Sequence, residues 1–256
     1  MSGGLPGKVR WLPVVLAAVL IGAACSRASD FPDASDPVRF MPWPDYELLR
    51  YDIIDQTGVT LGTVDFEVDR QDDEYQFRVL FLLPGGNVRD ETFLHVVADT
   101  LAPLRYERVA TDDDDTIEVK GVYGTDDEGE AIVDSVVIEN GSREEERVSI
   151  GEFAFDTESS AWLWRSIDLS QDYEVSYRSV NVRASRSQLV RLRVIGQDLL
   201  RTPAGLFQTW QVEARPGLDR QTVWYAVDAP HLLVRWDLQP RQYLLREIVT
   251  ERAVAR

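Results

Sequence analysis

Apolar and polar residues alternate along most of the chain from Asp45 onward, and this alternation constrains the fold more than any other feature. In the segment VTLGTVDFEVD, polar side chains separate Val64, Phe66 and Val68. The segments EYQFRVLFLL and SQLVRLRV follow the same pattern. A period of two places successive side chains on opposite faces of a strand, so these segments are predicted to be half-buried β-strands.

Turn-forming sequences separate the predicted strands. The motif ProGlyGly stands at 84–86, and Asn140 is followed by Gly141, a pair typical of tight hairpin turns. Strands bounded in this way number roughly a dozen along the chain. No strong βαβ pattern is present, and no repeat is strict enough to indicate a propeller. The order of segments therefore predicts a large antiparallel sheet.

The segment between Asp156 and Asp168 lacks this alternation. It begins beside polar residues suited to cap a helix and includes Trp162 and Trp164, so it predicts one short helix. A single apolar helix in an antiparallel protein must be covered, and we expect it to pack on the inner face of the sheet. The predicted fold class is mainly β, with a large curved antiparallel sheet or half-open barrel wrapped around one short helix.

Length and charge limit the organisation and the partners. The chain has 256 residues, and all-β folds commonly run to about 200–250 residues as one unit. The formal net charge of −17 gives a surface that repels nucleic acid, so no nucleic-acid partner is expected. A single cysteine allows no internal disulfide, and the hydrophobic core must hold the fold together.

The first 24 residues have the pattern of a signal peptide. Lys8 and Arg10 precede an apolar run, Trp11 to Ile21, which ends in small residues before Cys25. The run is too short to span a bilayer comfortably. The sequence LIGAAC resembles the bacterial lipobox, in which the cysteine becomes the first mature residue and carries acyl chains. Cys25 is therefore the predicted lipidation site.

The alternative for the N-terminus is an ordinary secretory signal cut near Ala24. Because Cys25 is the only cysteine, its position favours lipidation, and multiple acyl chains would anchor the protein durably to a membrane. The following stretch, SRASDFPDASDPVRFMPWP, is rich in Ser, Asp and Pro and suits an extended tether. The predicted organisation is a signal peptide over 1–24, a lipidated flexible tether over 25–44 and one β-rich domain over 45–256. The expected location is extracytoplasmic, on the bacterial cell membrane.

Two ends of the predicted domain carry a family resemblance. The segment ELLRYDIIDQTGVTLGTVDFEV contains Tyr51, Gly58 and Gly62, and the segments TPAGLFQTWQVE and TVWYAVDAPHLLVRW lie near the C-terminus. They resemble the exported bacterial domain-of-unknown-function family DUF3108. The matching positions of the later segments are Pro203, Ala204, Gly205, Phe207, Val223, Trp224, Ala229, Pro230, His231 and Leu232.

The resemblance implies a fold more than an activity. By analogy it implies the architecture of lipoprotein carriers of the LolA and LolB type, a strongly bent antiparallel sheet around a helical plug. An analogy at the level of the fold carries no function by itself. The family offers no established enzymatic activity that the resemblance could transfer.

Aromatic residues are more numerous than one face of a thin sheet needs. If the sheet curves around the helix and leaves a gap, they would line an apolar cavity for an acyl chain or another lipophilic ligand. The candidate wall residues are Trp162, Trp164, Trp210 and Trp236, whereas Trp224 should face the other way. The alternative is that these side chains simply fill the core.

Catalytic and metal-binding signals are weak. His231 follows Pro230 in a predicted turn, and no GxSxG element or other nucleophile signature accompanies it. The aspartates at 112–115 offer carboxylates to Ca²⁺ but lack the spacing of a calcium loop, and a solvated hairpin tip is the favoured interpretation. Two histidines and one cysteine do not make an ordinary zinc site. No metal, cofactor or catalytic residue is predicted.

These observations favour a membrane-anchored extracytoplasmic lipoprotein that binds a lipophilic ligand or an envelope component without catalysis. A second hypothesis is a scaffold with a filled core that binds a protein partner through its acidic surface. A third is a hydrolase that acts through His231 or an acidic pair.

Overall fold

The computed structural model describes residues 33–83, 88–113, 115–217 and 219–252. The predicted signal peptide and Cys25 lie outside these ranges. The described chain forms one sheet of fifteen strands. The first eight strands are β1 Tyr46–Asp55, β2 Thr60–Gln71, β3 Glu74–Leu82, β4 Val88–Val97, β5 Pro103–Asp112, β6 Asp115–Thr125, β7 Ala131–Glu139 and β8 Ser142–Ser149. The other seven are β9 Ala154–Asp156, β10 Glu174–Asn181, β11 Arg186–Thr202, β12 Gly205–Pro216, β13 Gln221–Ala226, β14 Leu233–Leu238 and β15 Arg241–Val249.

Except for β8 and β9, strands that follow one another in the chain are also neighbours in the sheet. The order is β8-β7-β6-β5-β4-β3-β2-β1-β15-β14-β13-β12-β11-β10-β9, and every pair is antiparallel except β9 with β10. Pairing of β1 with β15, from Leu48 opposite Val249 to Asp55 opposite Arg241, joins the two halves. Strands β8 and β9 are the two edges of the sheet. The predicted antiparallel sheet is confirmed.

Period-two burial follows the sequence pattern. In β2, Val64, Phe66 and Val68 are buried and the residues between them are more exposed. The predicted turn at Asn140 and Gly141 joins β7 to β8, and both residues have positive φ, 48° and 86°. A two-residue hairpin loop with positive φ at both positions matches the twist of the flanking strands, which is why this residue pair suits the turn.

The predicted helix forms between β9 and β10. It begins as a 3₁₀ turn, Thr157–Ser159, and continues as α1, Ser160–Leu163. The Asp156 side chain caps this segment by accepting a hydrogen bond from the backbone N–H of Glu158 at 2.7 Å. No helix in the described ranges is long and apolar enough to cross a membrane.

The sheet curves until its two halves touch. A Cβ placed on Gly121 of β6 would lie 2.8 Å from a methyl carbon of Val182, which follows β10. The hydroxyls of Ser135 in β7 and Ser185, in the turn between β10 and β11, are 3.0 Å apart. Glycine at 121 is therefore required for this close approach, and the curved sheet encloses the helical segment as the sequence predicts.

Residues that precede β1 also pack on the domain. The backbone N–H of Ser35 donates to the carbonyl of Ser176, and that of Arg39 donates to Ser166. Trp43 is buried in the core and packs edge-on against Phe77. These residues fall within the segment for which the sequence predicts a tether, and composition alone did not indicate their contacts with the sheet.

Candidate ligand-binding cavity

A cavity of about 560 Å³ lies between the helical segment and the concave face of the sheet. Strands β2 to β5 contribute to one side of its wall and β10 to β15 to the other, while Thr157, Glu158 and Ser160 line it from the helical segment. Cavities that bind small molecules commonly measure about 300–1,000 Å³. The volume is therefore sufficient for a small lipophilic molecule.

Most of one wall is apolar, and Trp236 is part of it. The apolar lining consists of Phe66, Phe81, Leu83, Val88, Trp164, Val190, Pro216, Trp236, Leu238 and Tyr243. The ring centroid of Trp236 lies 5.5 Å from that of Trp164 and 5.9 Å from that of Tyr243. Its Nε1 donates to Oε1 of Gln221 at 3.1 Å. The indole is thus held by both packing and a hydrogen bond.

Strand register explains why Trp236 faces the cavity. Trp236 is opposite Val223 on β13 and opposite Tyr243 on β15. Residues directly opposite each other in neighbouring strands share a face of the sheet. Because Val223 and Tyr243 are buried in the core, Trp236 points inward as well.

Of the four predicted wall residues, Trp164 and Trp236 line the cavity. Trp162 instead stacks on Phe77 with ring centroids 4.3 Å apart, in the core against β3. Two positions along a helix correspond to a rotation of about 200°, so Trp162 and Trp164 point in nearly opposite directions. The Nε1 of Trp164 donates to the Tyr177 hydroxyl at 2.7 Å, which fixes its orientation.

Trp210 packs partly buried against the core but does not line this cavity. The lining residue of β12 is Pro216, and Trp210 lies about 20 Å away along the strand at about 3.3 Å per residue. Trp224 is buried outside the main core cluster, with the Arg235 guanidinium 4.7 Å from its ring centroid. The sequence placed it on the opposite face from Trp236, as observed.

The remaining wall is polar. It contains an ion pair between β4 and β5 on the inward face of the sheet. Arg108 donates from Nε to Oδ1 of Asp90 at 2.8 Å and from Nη2 to Oδ2 at 2.5 Å. In the register Arg108 is opposite Thr92, so Asp90 is its diagonal neighbour on the same face. The pair is two-thirds or more buried and lines the cavity.

Glu158 also lines the cavity and carries a carboxyl group without a hydrogen-bond donor among the described residues. Its side chain is surrounded by protein and reachable only in part by solvent. Burial raises the pKa of Glu158, the positive charge of Arg108 opposes that rise, and the negative charge of Asp90 adds to it. Glu158 is therefore a partly desolvated carboxyl group near an arginine to which it is not hydrogen-bonded.

Asp156, two residues before Glu158, is 1% exposed. The pKa of Asp156 is raised to about 7, chiefly by burial and in addition by the charge of Glu158, against the opposing effect of hydrogen bonds from the Tyr123 hydroxyl and the Glu158 N–H. The Tyr123 Oη to Asp156 Oδ2 distance is 2.5 Å. Two carboxyl groups with raised pKa values therefore lie next to each other at the polar end of the cavity.

Asp90, Arg108 and Glu158 are not among the site residues predicted from the sequence. A signal for Asp90 exists in the period-two pattern. The inward positions of β4 begin with Val88 and end with Leu94 and Val96, yet Asp90 interrupts them. A charged residue in the apolar phase of a strand indicates an inward charge that needs a partner. Glu158 has no comparable signal, because a glutamate in the first turn of a helix is common.

Other candidate residues have structural contacts. His231 has φ of 54°, its Nδ1 is 3.0 Å from the Ala226 carbonyl, and its ring packs edge-on against Phe40. It therefore bonds across the turn between β13 and β14 and does not line the cavity. Asp112 and Asp115 pair at the hairpin tip of β5 and β6. Among the residues that the structure describes, no group of three or more His, Cys, Asp or Glu side chains could hold a metal ion.

A strongly curved antiparallel sheet around a helical plug, with a cavity between them, agrees with the lipoprotein-carrier architecture that the resemblance implied. The family model described as protein of unknown function, DUF3108, matches residues 48–241. The chain therefore belongs to the DUF3108 family. No curated protein matches the chain.

Solved structures support the fold. A beta-barrel-like protein of the domain of unknown function DUF1849 from Brucella abortus has 12% sequence identity and a TM-score of 0.52, over 79% of this chain and 96% of that one. At this identity the likeness shows the fold alone.

Two further structures have TM-scores of 0.30, too low to support a statement about this chain. One is a candidate lipoprotein from Parabacteroides distasonis, 13% identical, covering 84% of this chain and 100% of that one. The other is a candidate exported protein with a YmcC-like fold from Bacteroides fragilis, 10% identical, covering 83% of this chain and 99% of that one.

Proposed function

We propose that this protein is a membrane-anchored extracytoplasmic lipoprotein that binds a lipophilic ligand in its cavity without catalysing a reaction. The observation that carries the proposal is the aromatic wall around Trp236, which faces a space of about 560 Å³. Binding of an apolar ligand removes the apolar wall of a cavity from water, and this burial stabilises the complex. The signal-like N-terminus and Cys25 support the anchored location.

Binding without catalysis fits the contacts of the histidines. His231 bonds across a turn, and His95 lies within hydrogen-bond distance of Gln76 and Arg105 on the outer face of β4. Neither ring lies in the wall of the cavity. A hydrolase that used His231 as its base would need a nucleophile beside that ring.

Native mass spectrometry of the Cys25→Ser chain tests the proposal. We expect bound lipid after gentle purification or after incubation with a mixture of envelope lipids. Gln188 lines the cavity, so Gln188→Trp should fill part of it and reduce the bound fraction. Leu189→Trp is the matched control, because the adjacent residue of a strand points to the other face.

A chain that stays free of ligand across lipid mixtures would contradict the proposal. Equal loss of ligand in Gln188→Trp and Leu189→Trp would contradict the location of the site. In the first case a partner-binding scaffold becomes the favoured function, and crosslinking in intact cells should then capture a protein whose binding weakens with salt.

A further inference from the structure

The polar end of the cavity has an unbalanced charge. Asp90 and Glu158 bring two carboxyl groups to the interior wall, and Arg108 brings one guanidinium. Asp90 already occupies Nε and Nη2 of Arg108. The charge of the guanidinium is therefore balanced by Asp90, and two of its nitrogen atoms are already hydrogen-bonded. It is poorly placed to bind the headgroup of an anionic ligand.

The mouth of the cavity also carries more negative than positive charge. The exposed lining residues there are Asp112, Asp219 and Arg241, two acids against one base. The whole chain has a formal charge of −17. A negative cleft in a negative protein attracts cations and repels anions on their approach. Charge at the mouth and charge inside the cavity thus favour the same kind of ligand.

Glu158 supplies the point of attachment. Its side chain lines the cavity, its carboxyl group accepts no hydrogen bond from the described residues, and the residue is partly buried. A partly buried carboxylate without a donor is unfavourable, and a ligand that brings a donor and a positive charge would remove that cost. An ammonium group offers three donors and a full charge at one point.

We propose that the cavity binds an amphiphile whose headgroup is a primary ammonium, with its apolar chain against Trp236 and Trp164 and its nitrogen at Glu158. This inference rests on the proposed lipid-binding function and specifies the class of ligand. The apolar wall supplies affinity for any alkyl chain, whereas Glu158 discriminates between headgroups. Amphiphiles with phosphate, sulfate or carboxylate headgroups meet unfavourable charge at both the mouth and the interior.

Three dodecyl compounds of equal chain length test the inference: dodecylammonium, dodecanol and dodecyl sulfate. The two ionic compounds are titrated below their critical micelle concentrations and dodecanol below its solubility limit into the full Cys25→Ser chain, and binding is followed by isothermal calorimetry. A charge-assisted hydrogen bond in a partly buried site should make dodecylammonium bind about tenfold more tightly than dodecanol. Dodecyl sulfate should bind least.

Glu158→Gln keeps the shape of the side chain and removes its charge. It should abolish most of the preference for dodecylammonium over dodecanol, and a urea-unfolding midpoint like that of the unmodified chain shows that the variant is folded. Glu145→Gln, on the exposed edge strand β8, changes the net charge equally and should leave the preference intact. This control separates a local contact from general electrostatic attraction.

The outcomes distinguish failure of the ammonium inference from failure of the proposed lipid binding. If dodecanol binds and dodecylammonium binds no better, or if dodecyl sulfate binds most tightly, the ammonium inference is overturned and lipid binding stands. A preference that survives in Glu158→Gln also overturns the inference. If none of the three compounds binds, both the inference and the proposed function are overturned.

Discussion

Arg165 and Glu47 form a bidentate ion pair in the interior, and each side chain is 1% exposed. Nη1 donates to Oε1 at 2.5 Å and Nη2 to Oε2 at 2.9 Å. Nε of Arg165 donates to the Pro230 carbonyl at 2.6 Å, and the guanidinium lies 5.8 Å from the ring centroid of Trp43. This arginine therefore joins the segment after α1 to the first strand, to a distant turn and to the packed N-terminal segment.

Glu47→Ala should destabilise the protein by about 3–5 kcal/mol, because it leaves the buried guanidinium without a counter-charge. Urea unfolding measures the effect. Glu145→Ala is the control, since its ion pair with Arg143 is 55% and 64% exposed, and a change below about 1 kcal/mol is expected there. The double variant Glu47→Leu/Arg165→Met should recover part of the loss. Equal effects of Glu47→Ala and Glu145→Ala would contradict a stabilising role for the buried contact.

Asp156 predicts a dependence of stability on pH. Its pKa is about 7 in the folded chain against an ordinary value of 3.8, so the folded state binds more protons than the unfolded state between these values. The free energy of unfolding should therefore fall as pH rises from about 4 to about 7 and level off above that range. Asp156→Asn removes this contribution.

Between pH 5 and pH 8, Asp156→Asn should gain on the order of 2 kcal/mol in unfolding free energy relative to the unmodified chain. Urea unfolding at both pH values measures the difference. Asp99→Asn, at an exposed turn between β4 and β5, should show no such pH-dependent gain. A gain for Asp156→Asn that is the same at both pH values would rule out the proposed titration.

Gly62 lies where β2 approaches the end of β3. A Cβ at this position would stand 2.3 Å from the carbonyl oxygen of Leu82, and a backbone atom in a paired strand has little room to move. Gly62→Ala should cost about 1–3 kcal/mol of stability through overpacking. Gly124→Ala is the control, because no atom lies within 4 Å of the Cβ it would introduce. Similar unfolding midpoints for both variants would show that β2 and β3 can separate without cost.

Cys25 predicts how the protein is attached. If acyl chains on this residue hold the protein on the membrane, Cys25→Ser should move it from the membrane fraction to the soluble fraction of cells. Fractionation followed by detection of the chain measures the distribution. Ser26→Ala, one residue away, should leave the protein with the membrane. Retention of the Cys25→Ser chain in the membrane fraction would contradict lipidation as the anchor.

Much of the fold could be predicted from local patterns. Alternation placed Val64, Phe66 and Val68 on one face, and the loss of alternation after Asp156 located the single helix. Both signals depend only on the spacing of residues along the chain. The pairing of β1 with β15 has no local signal, because it joins strands at opposite ends of the domain. The family resemblance supplied the curved architecture.

The cavity was predicted only in part. Trp236 could be assigned from alternation on its own strand, and Trp164 from its place in the helix. The charged end was missed because an isolated Asp or Arg in a strand is usually on the outer face, and only the three-dimensional register brings Asp90 beside Arg108. Trp210 was predicted to line the cavity and does not, because alternation gives the face of the sheet on which a residue lies but not its distance from the cavity.

Contact quenching of tryptophan fluorescence by brominated dodecanol tests the central claim, that the cavity beside Trp236 binds an apolar chain. We expect saturable quenching in the Cys25→Ser chain. In a Trp164→Phe/Trp236→Phe variant, which retains an aromatic wall, most of this quenching should disappear, whereas Trp224→Phe on the other face should preserve it. Quenching that does not saturate, or that is unchanged in the Trp164→Phe/Trp236→Phe variant, would contradict binding in this cavity.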